Sequence, residues 1–228
     1  MTTPPQIEDV YPLSSVQKGM LFHSVAEPGA GLYVIQSGYD LRGAYDDAVS
    51  RGAWAAVVAR HAVLRTSFAW QTQEDPRQVV HRQVKLPWKT VDLRASSPEE
   101  QRVHVARAYA EDRAAGFELA RPPLLRFTVF RLADDRHHLL WTIHHLLIDG
   151  WSMQIVLREV SQAYLGAQGT APGGEPPSYR TFIGWLLAQD GGRAEAFWRR
   201  TLAGIKGPTP IVGKIGRASC RERVSSKV

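Results

Sequence analysis

The sequence predicts a mixed α/β fold, in which a mixed β-sheet is layered with helices. Three observations lead there. The 228 residues are 44% hydrophobic and 22% charged, the balance of an ordinary globular chain, and the length suits one large domain or two small ones. Segments of helical period alternate with segments of strand period. Some strand segments neighbour one another as hairpins, which a purely parallel sheet would not contain. The one cysteine, Cys220, rules out an internal disulfide framework and a zinc site of several thiolates. Met1–Val10 lacks the marks of a signal peptide, and no run approaches the ~18 apolar residues of a membrane helix. The expectation is a cytoplasmic protein with no membrane partner.

Each element has a local reason. Ser14 or Ser15 caps a short helix carrying Val16, Met20, Leu21 and Phe22. Tyr33–Leu41 reads as a strand. Tyr45 to His61 reads as a helix, with Asp46 and Asp47 in its first turn and a face through Val49, Ala53, Val57 and His61. Leu64–Trp70 is extended, with Thr66, Phe68 and Trp70 in alternation, and Val79–Val84 is a further strand. Ser97-Pro98-Glu99-Glu100 is a capping box with proline at the first helical position, and Gly116 stops that helix. Leu124–Leu132 and His137–Leu147 are strands joined by the turn Ala133–Arg136. A helix over Gly150–Leu165 has its apolar face at Met153, Val156, Leu157, Val160 and Tyr164. Seven of the thirteen residues in 166–178 are glycine or proline, which marks a linker or surface loop. Two more helices follow, Ser178–Gln189 and Arg193–Leu202. The expected organisation is a lobe over 1–165, the linker 166–178, helices over 179–213 and a separate tail, 214–228.

The net charge of +6 would by itself suggest a nucleic-acid partner. Five basic residues against Glu222 give the tail +4 and leave the body with +2. The body has no basic stripe with interleaved aromatics, so nucleic acid is not expected. The stretch Lys214–Val224, KIGRASCRERV, resembles a widely used short-read sequencing adapter read in frame. On that reading the natural sequence stops near Gly213 and Cys220 is not native; the other reading is a genuine basic tail.

The segment that carries chemistry is Leu139–Ser152, with His144-His145 closing an apolar strand and Asp149-Gly150 opening a helix. Side chains alternate along a strand, so the two imidazoles face opposite sides and are poorly placed to share a metal ion; no metal is expected. One histidine can face a cavity alone, as a general base or a hydrogen-bond donor. Asp149 can cap the helix or pair with a cation, and Gly150 permits close approach of another backbone or a substrate. The competing reading makes both histidines satisfied core residues. His23, His81, His104, His137 and His138 are expected to be surface or packing residues.

The string His144-His145-x-x-x-Asp149-Gly150 resembles the active-site motif of acyltransferases with the chloramphenicol-acetyltransferase-like fold. Tyr11–His23 is similar to the first core motif of nonribosomal peptide synthetase condensation domains, and Arg60–Phe68 to the second. The histidine segment is similar to the third and Tyr179–Trp185 to the fourth, in family order, across residues 7–212. Ser15, Val16 and Thr181 depart from the usual pattern, and the later motifs of a second lobe are absent.

The resemblance implies one lobe of a domain that joins two thioester-bound acyl groups. The substrates ride on phosphopantetheine arms of peptidyl or acyl carrier domains, with an adenylation domain downstream, and the domain itself holds no cofactor. His145 carries over as the catalytic residue, as base or as positioner of the amine; both roles stay open. Gly150 offers its amide near the reacting centre. Supporting roles fall to His144, Asp149, its expected ion-pair partner Arg65, and Trp151 at the site's edge. The Gly19–His23 form of the first motif resembles domains that take a D-configured donor. The alternatives are a coenzyme A-dependent acyltransferase of the same fold and a catalytically silent binding module; half a domain alone is expected to be inactive or poorly soluble.

Overall fold

The structure is a computed structural model, and it describes residues 6–71, 75–166 and 175–207. Most of the linker and the whole tail 214–228 lie outside the described residues. The chain divides into two compact units, Met1–Leu187 and Ala188–Val228.

The first unit begins with β1 (Ile7–Pro12), α1 (Ser15–Ala26), β2 (Val34–Arg42) and α2 (Asp47–Arg60). A 3-10 turn (Ala62–Arg65) leads into β3 (Thr66–Ala69), β4 (Arg77–His81) and β5 (Trp88–Asp92). Next come α3 (Pro98–Ala115), β6 (Leu125–Ala133), β7 (Arg136–His144), α4 (Gly150–Tyr164) and α5 (Tyr179–Leu187). In the second unit the described helix is α6 (Gly191–Thr201), capped by Asp190.

The main sheet has the order β2-β7-β6-β5. Its pairs are antiparallel except β5 with β6, which run parallel. A smaller antiparallel sheet has the order β1-β4-β3. The expected mixed sheet layered with helices is therefore present.

Strand period organises the layers. Leu139, Trp141 and Ile143 of β7 pack into the large core with Trp54, Val57 and Val58 of α2 and Val156 and Val160 of α4. The rings of Trp54, Phe127 and Trp141 meet at centroid distances of 4.5 to 6.4 Å. The alternate residues meet α3: Leu140 and Phe130 pack with Val105, Ala108 and Tyr109. On the small sheet, Tyr11 and Val80 bury Ile183 of α5, which ties that helix to the first unit.

Local signals explain most boundaries. Ser14 and Gln17 form a capping box on α1, and Ser97 and Glu100 form one on α3. Gly116 ends α3 at φ 56°, a left-handed conformation glycine adopts without strain. Two strands depart from the sequence pattern. β1 and β5 are edge strands with mostly exposed or half-exposed residues, so neither shows the buried alternation that marks a strand. The α2 face also differs: Val49 is exposed, and Ser50, Ala53, Trp54, Val57 and Val58 are buried. Steps of four residues rotate about 40° further at each step, so a row through Val49, Ala53 and Val57 drifts off the buried stripe.

Candidate active site

β7 lies inside the sheet, hydrogen-bonded to β2 and β6, so its end is held from both sides. The His144 amide donates to the Leu124 carbonyl at 3.0 Å, and the His145 amide donates to the Tyr33 carbonyl at 2.8 Å. Beyond them the chain turns, and Asp149 caps α4. Its Oδ1 accepts from the Ser152 amide at 2.8 Å and from the Ser152 hydroxyl at 2.6 Å. Those two bonds hold the Asp149 carboxyl below the usual carboxylate range. Aspartate is a favoured cap because its oxygen satisfies an amide the helix cannot.

The paired histidines occupy different environments. His144 is 2% exposed, between the rings of Phe117 and Tyr33 at 6.2 and 6.4 Å. The Leu146 amide donates to its Nδ1 at 3.2 Å, so in the neutral ring the proton sits on Nε2. Burial, with a smaller push from His145, brings its pKa down to about 4, so the imidazole is uncharged at pH 7. His145 is half-buried and makes no side-chain hydrogen bond among the described residues. It lies near Asp149, whose lowered pKa it influences least among the causes.

Gly150 is exposed, and a Cβ built on it would meet nothing within 4 Å. The lobe itself therefore makes no close approach there. Trp151 is 85% exposed and Ile155, one turn on, is also exposed. They place an apolar stripe beside the start of α4.

Arg65 does not pair with Asp149, contrary to the sequence expectation. It is buried under the small sheet, with Nη1 on Glu8 at 2.8 Å and Nε on the Ala59 carbonyl at 3.2 Å. Nη1 also meets the carbonyls of His81 and Arg82. Asp149 is already satisfied by its own helix, and Arg65 at the end of a 3-10 turn finds these acceptors around it instead.

Two glutamines do work that the sequence reading did not assign. Gln17 and Gln78 are buried and exchange amide hydrogen bonds in both directions at 3.1 Å. The Gln17 Nε2 also donates to the Leu146 carbonyl at 3.0 Å, and that of Gln78 to the Pro12 carbonyl at 3.0 Å. This pair fastens α1 and β4 to the turn after His145. The Ser14-x-x-Gln17 capping pattern was a signal for the first; nothing local marks the second. Four of the remaining histidines are held by polar partners, whereas His104 and His137 each keep a buried Nδ1 with no hydrogen-bond partner among the described residues. His23 Nδ1 contacts the Tyr33 hydroxyl at 2.9 Å, His81 Nε2 the Ser67 hydroxyl at 2.8 Å, and His61 Nε2 the Glu159 carboxylate at 2.7 Å. His138 bridges Tyr109 and Asp40 at 2.9 and 2.7 Å. Among the described residues no group of three His, Cys, Asp or Glu side chains is placed to hold a metal.

A mixed sheet layered with helices, whose inner strand delivers a histidine pair to a helix start, defines a class by its fold, the chloramphenicol-acetyltransferase-like fold. Within it, residues 7–222 match the family model for the condensation domain, and the chain belongs to that family. It is 43% identical over 208 residues to a linear gramicidin synthase of Brevibacillus parabrevis, covering 90% of this chain and 3% of that protein. To bacitracin synthase 3 of Bacillus licheniformis it is 34% identical over 224 residues, covering 96% and 4%. Among solved structures, the starter condensation domain of rhizomide synthetase RzmA matches with a TM-score of 0.73 at 20% identity, over 86% of this chain and 50% of that one. The first condensation domain of the CDA synthetase matches with a TM-score of 0.72 at 22% identity, over 86% and 50%. The chain thus spans half the length of these solved domains and a small fraction of the synthetases.

Proposed function

We propose that this chain is the histidine-bearing lobe of a nonribosomal peptide synthetase condensation domain, which forms an amide between two carrier-bound thioesters. The acceptor amine attacks the donor thioester carbonyl, a C–N bond forms, the C–S bond breaks, and the donor arm leaves as its thiol. The proton lost by the amine passes to that sulfur. His145 is the group we assign to the amine, either taking its proton or fixing its position. Phosphopantetheine enters as part of the substrates, on carrier domains, and an adenylation domain accompanies them in the synthetase. The helices α5 and α6 belong on this reading to the passage toward a second lobe, which covers Trp151 and Ile155. The tail 214–228 is a translated adapter on the same reading.

The observation that carries the proposal is the division of labour in the pair. His144 is buried and already used by the turn, so it leaves His145 as the imidazole open to a substrate. General-base help of this kind is worth about 10²–10⁴-fold in rate. In a complete two-lobed domain, His145→Ala is expected to abolish dipeptide formation between loaded carriers while leaving the circular dichroism spectrum and melting temperature unchanged. Near-normal turnover by that variant would refute the assignment.

A further inference from the structure

We infer that the cavity beside His144 is a binding site for one uncharged group of side-chain size that carries a hydrogen-bond acceptor, with the His144 Nε2–H as its donor. The inference goes beyond the condensation reading, since His144 and not His145 lines this cavity.

The cavity measures about 320 Å³, the small end of the range for ligand sites and too little for a peptide. Its walls are the end of α1 at Ser24 and Val25, the loop before β2, Trp70, and the segment after α3 at Phe117 and Leu119. His144 lines it from the end of β7. The ring's Nδ1 is taken by the Leu146 amide, and its Nε2 has no hydrogen-bond partner among the described residues. Solvent reaches that N–H through the cavity, and a ligand oxygen would take the solvent's place.

Both walls are fixed in advance. The loop before β2 turns through left-handed backbone at Gly29, Gly31 and Tyr33, with φ of 82°, 63° and 59°. Tyr33 is the one non-glycine residue with positive φ among the described residues. Such strain persists where surrounding structure holds it; here Tyr33 is tied through its carbonyl to His145 and through its hydroxyl to His23. On the opposite wall, Arg126 stacks 4.2 Å from the Phe117 ring centroid and bonds the Gly116 carbonyl and the Asp112 carboxylate, each at 2.6 Å.

Charge narrows the ligand further. The Ser24 hydroxyl is committed to the Met20 carbonyl, and the His144 Nε2–H is the donor that β7 brings to the cavity. It is neutral, and a carboxylate would lose its hydration for a single hydrogen bond. Glu27, which also lines the cavity, disfavours an anion, while Glu118 is paired with Arg121 at 3.1 Å. A cation would face an N–H rather than an acceptor. A neutral amide, hydroxyl or ether oxygen on a short apolar stem remains.

The test uses disulfide capture on the full chain with Cys220→Ser and Ser24→Cys. Four disulfide probes of matched length would be offered, ending in isobutyl, primary amide, carboxylate and ammonium groups. The expected result is capture of the amide probe about fivefold above the other three, the worth of one net hydrogen bond. Adding His144→Phe is expected to bring amide and isobutyl to equal capture. Equal capture of all four probes, or an amide preference that survives His144→Phe, would overturn the inference. If His144→Phe unfolds, capture of the amide must instead move the His144 Nε2 proton resonance of the Ser24→Cys chain, and an unmoved resonance overturns it equally. Because no step depends on peptide-bond formation, failure here leaves the condensation reading standing.

Discussion

On one face of β7, Leu139, Trp141 and Ile143 enter the core against Trp54, Phe127 and Val156. On the other face, His138, Thr142 and His144 sit among Tyr109, Phe117 and the end of α3. The strand is the same and the burial nearly so. The first face is held by apolar area, and its cost of failure is a void. The second carries polar groups that each need a partner, and it ends in the imidazole that the turn to α4 uses. One strand therefore supplies stability from alternate residues and prepares a site with the residues between them.

That contrast can be broken from either side. The largest effect is expected from Trp141→Ala, which empties a fully buried site; a loss of about 3–5 kcal/mol would appear in urea unfolding of the chain. A loss under about 1 kcal/mol would mean the core face does not carry the stability assigned to it.

The polar face should reveal itself through pH. Folded, His144 keeps its neutral form down to about pH 4, whereas in the unfolded chain it takes a proton near ~6.5. The unfolded state therefore binds more protons between those values. Stability is expected to be full above pH 6.5 and to fall by about 3 kcal/mol as pH drops toward 4. His144→Phe should flatten that slope in a series of urea midpoints; an unchanged slope would locate the pH dependence elsewhere.

Gln17→Leu sharpens the comparison. It leaves the Leu146 carbonyl and the Gln78 amide without their partner, at a cost of about 2 kcal/mol, and it loosens the turn that follows His145. The expected signature is a fall in kcat larger than the stability loss explains, read by single-turnover assay of the two-lobed domain at a temperature where the variant is fully folded. The smallest effect belongs to Asp149→Ala, which removes a helix cap worth about 1 kcal/mol and should lower the melting temperature by a few degrees. A variant of full stability and no activity would give Asp149 a role in the chemistry instead.

What the sequence showed follows from how local each cause is. The cap at Ser14, one of two expected positions, the capping box at Ser97 and the stop at Gly116 depend on neighbours within a few positions, and they appear in the structure. The strand pair β6–β7 was legible because its residues are buried inside a sheet. The edge strands β1 and β5 were not, because they bury few residues, whereas the edges β2 and β3 place Ile35, Tyr39, Leu41 and Phe68 in or against the core. The histidine pair was legible as a motif, and alternation foretold that the two rings would part. Arg65 was misread because its partner, Glu8, lies 57 positions away on an edge strand the pattern does not reveal. Gln78 was invisible for a similar reason, since its amide is matched by Gln17 across 61 residues.

The central claim is that β7 holds His144 as a neutral imidazole with its proton on Nε2, and so leaves His145 for the substrate. Long-range ¹H–¹⁵N spectra of the chain from pH 7 to pH 4 test it directly. One imidazole with a protonated Nε2 and an unprotonated Nδ1 is expected to persist to about pH 4 and to be lost in His144→Phe. A His144 ring protonated on Nδ1, or one that charges near the ordinary histidine value of about 6.5, would contradict it.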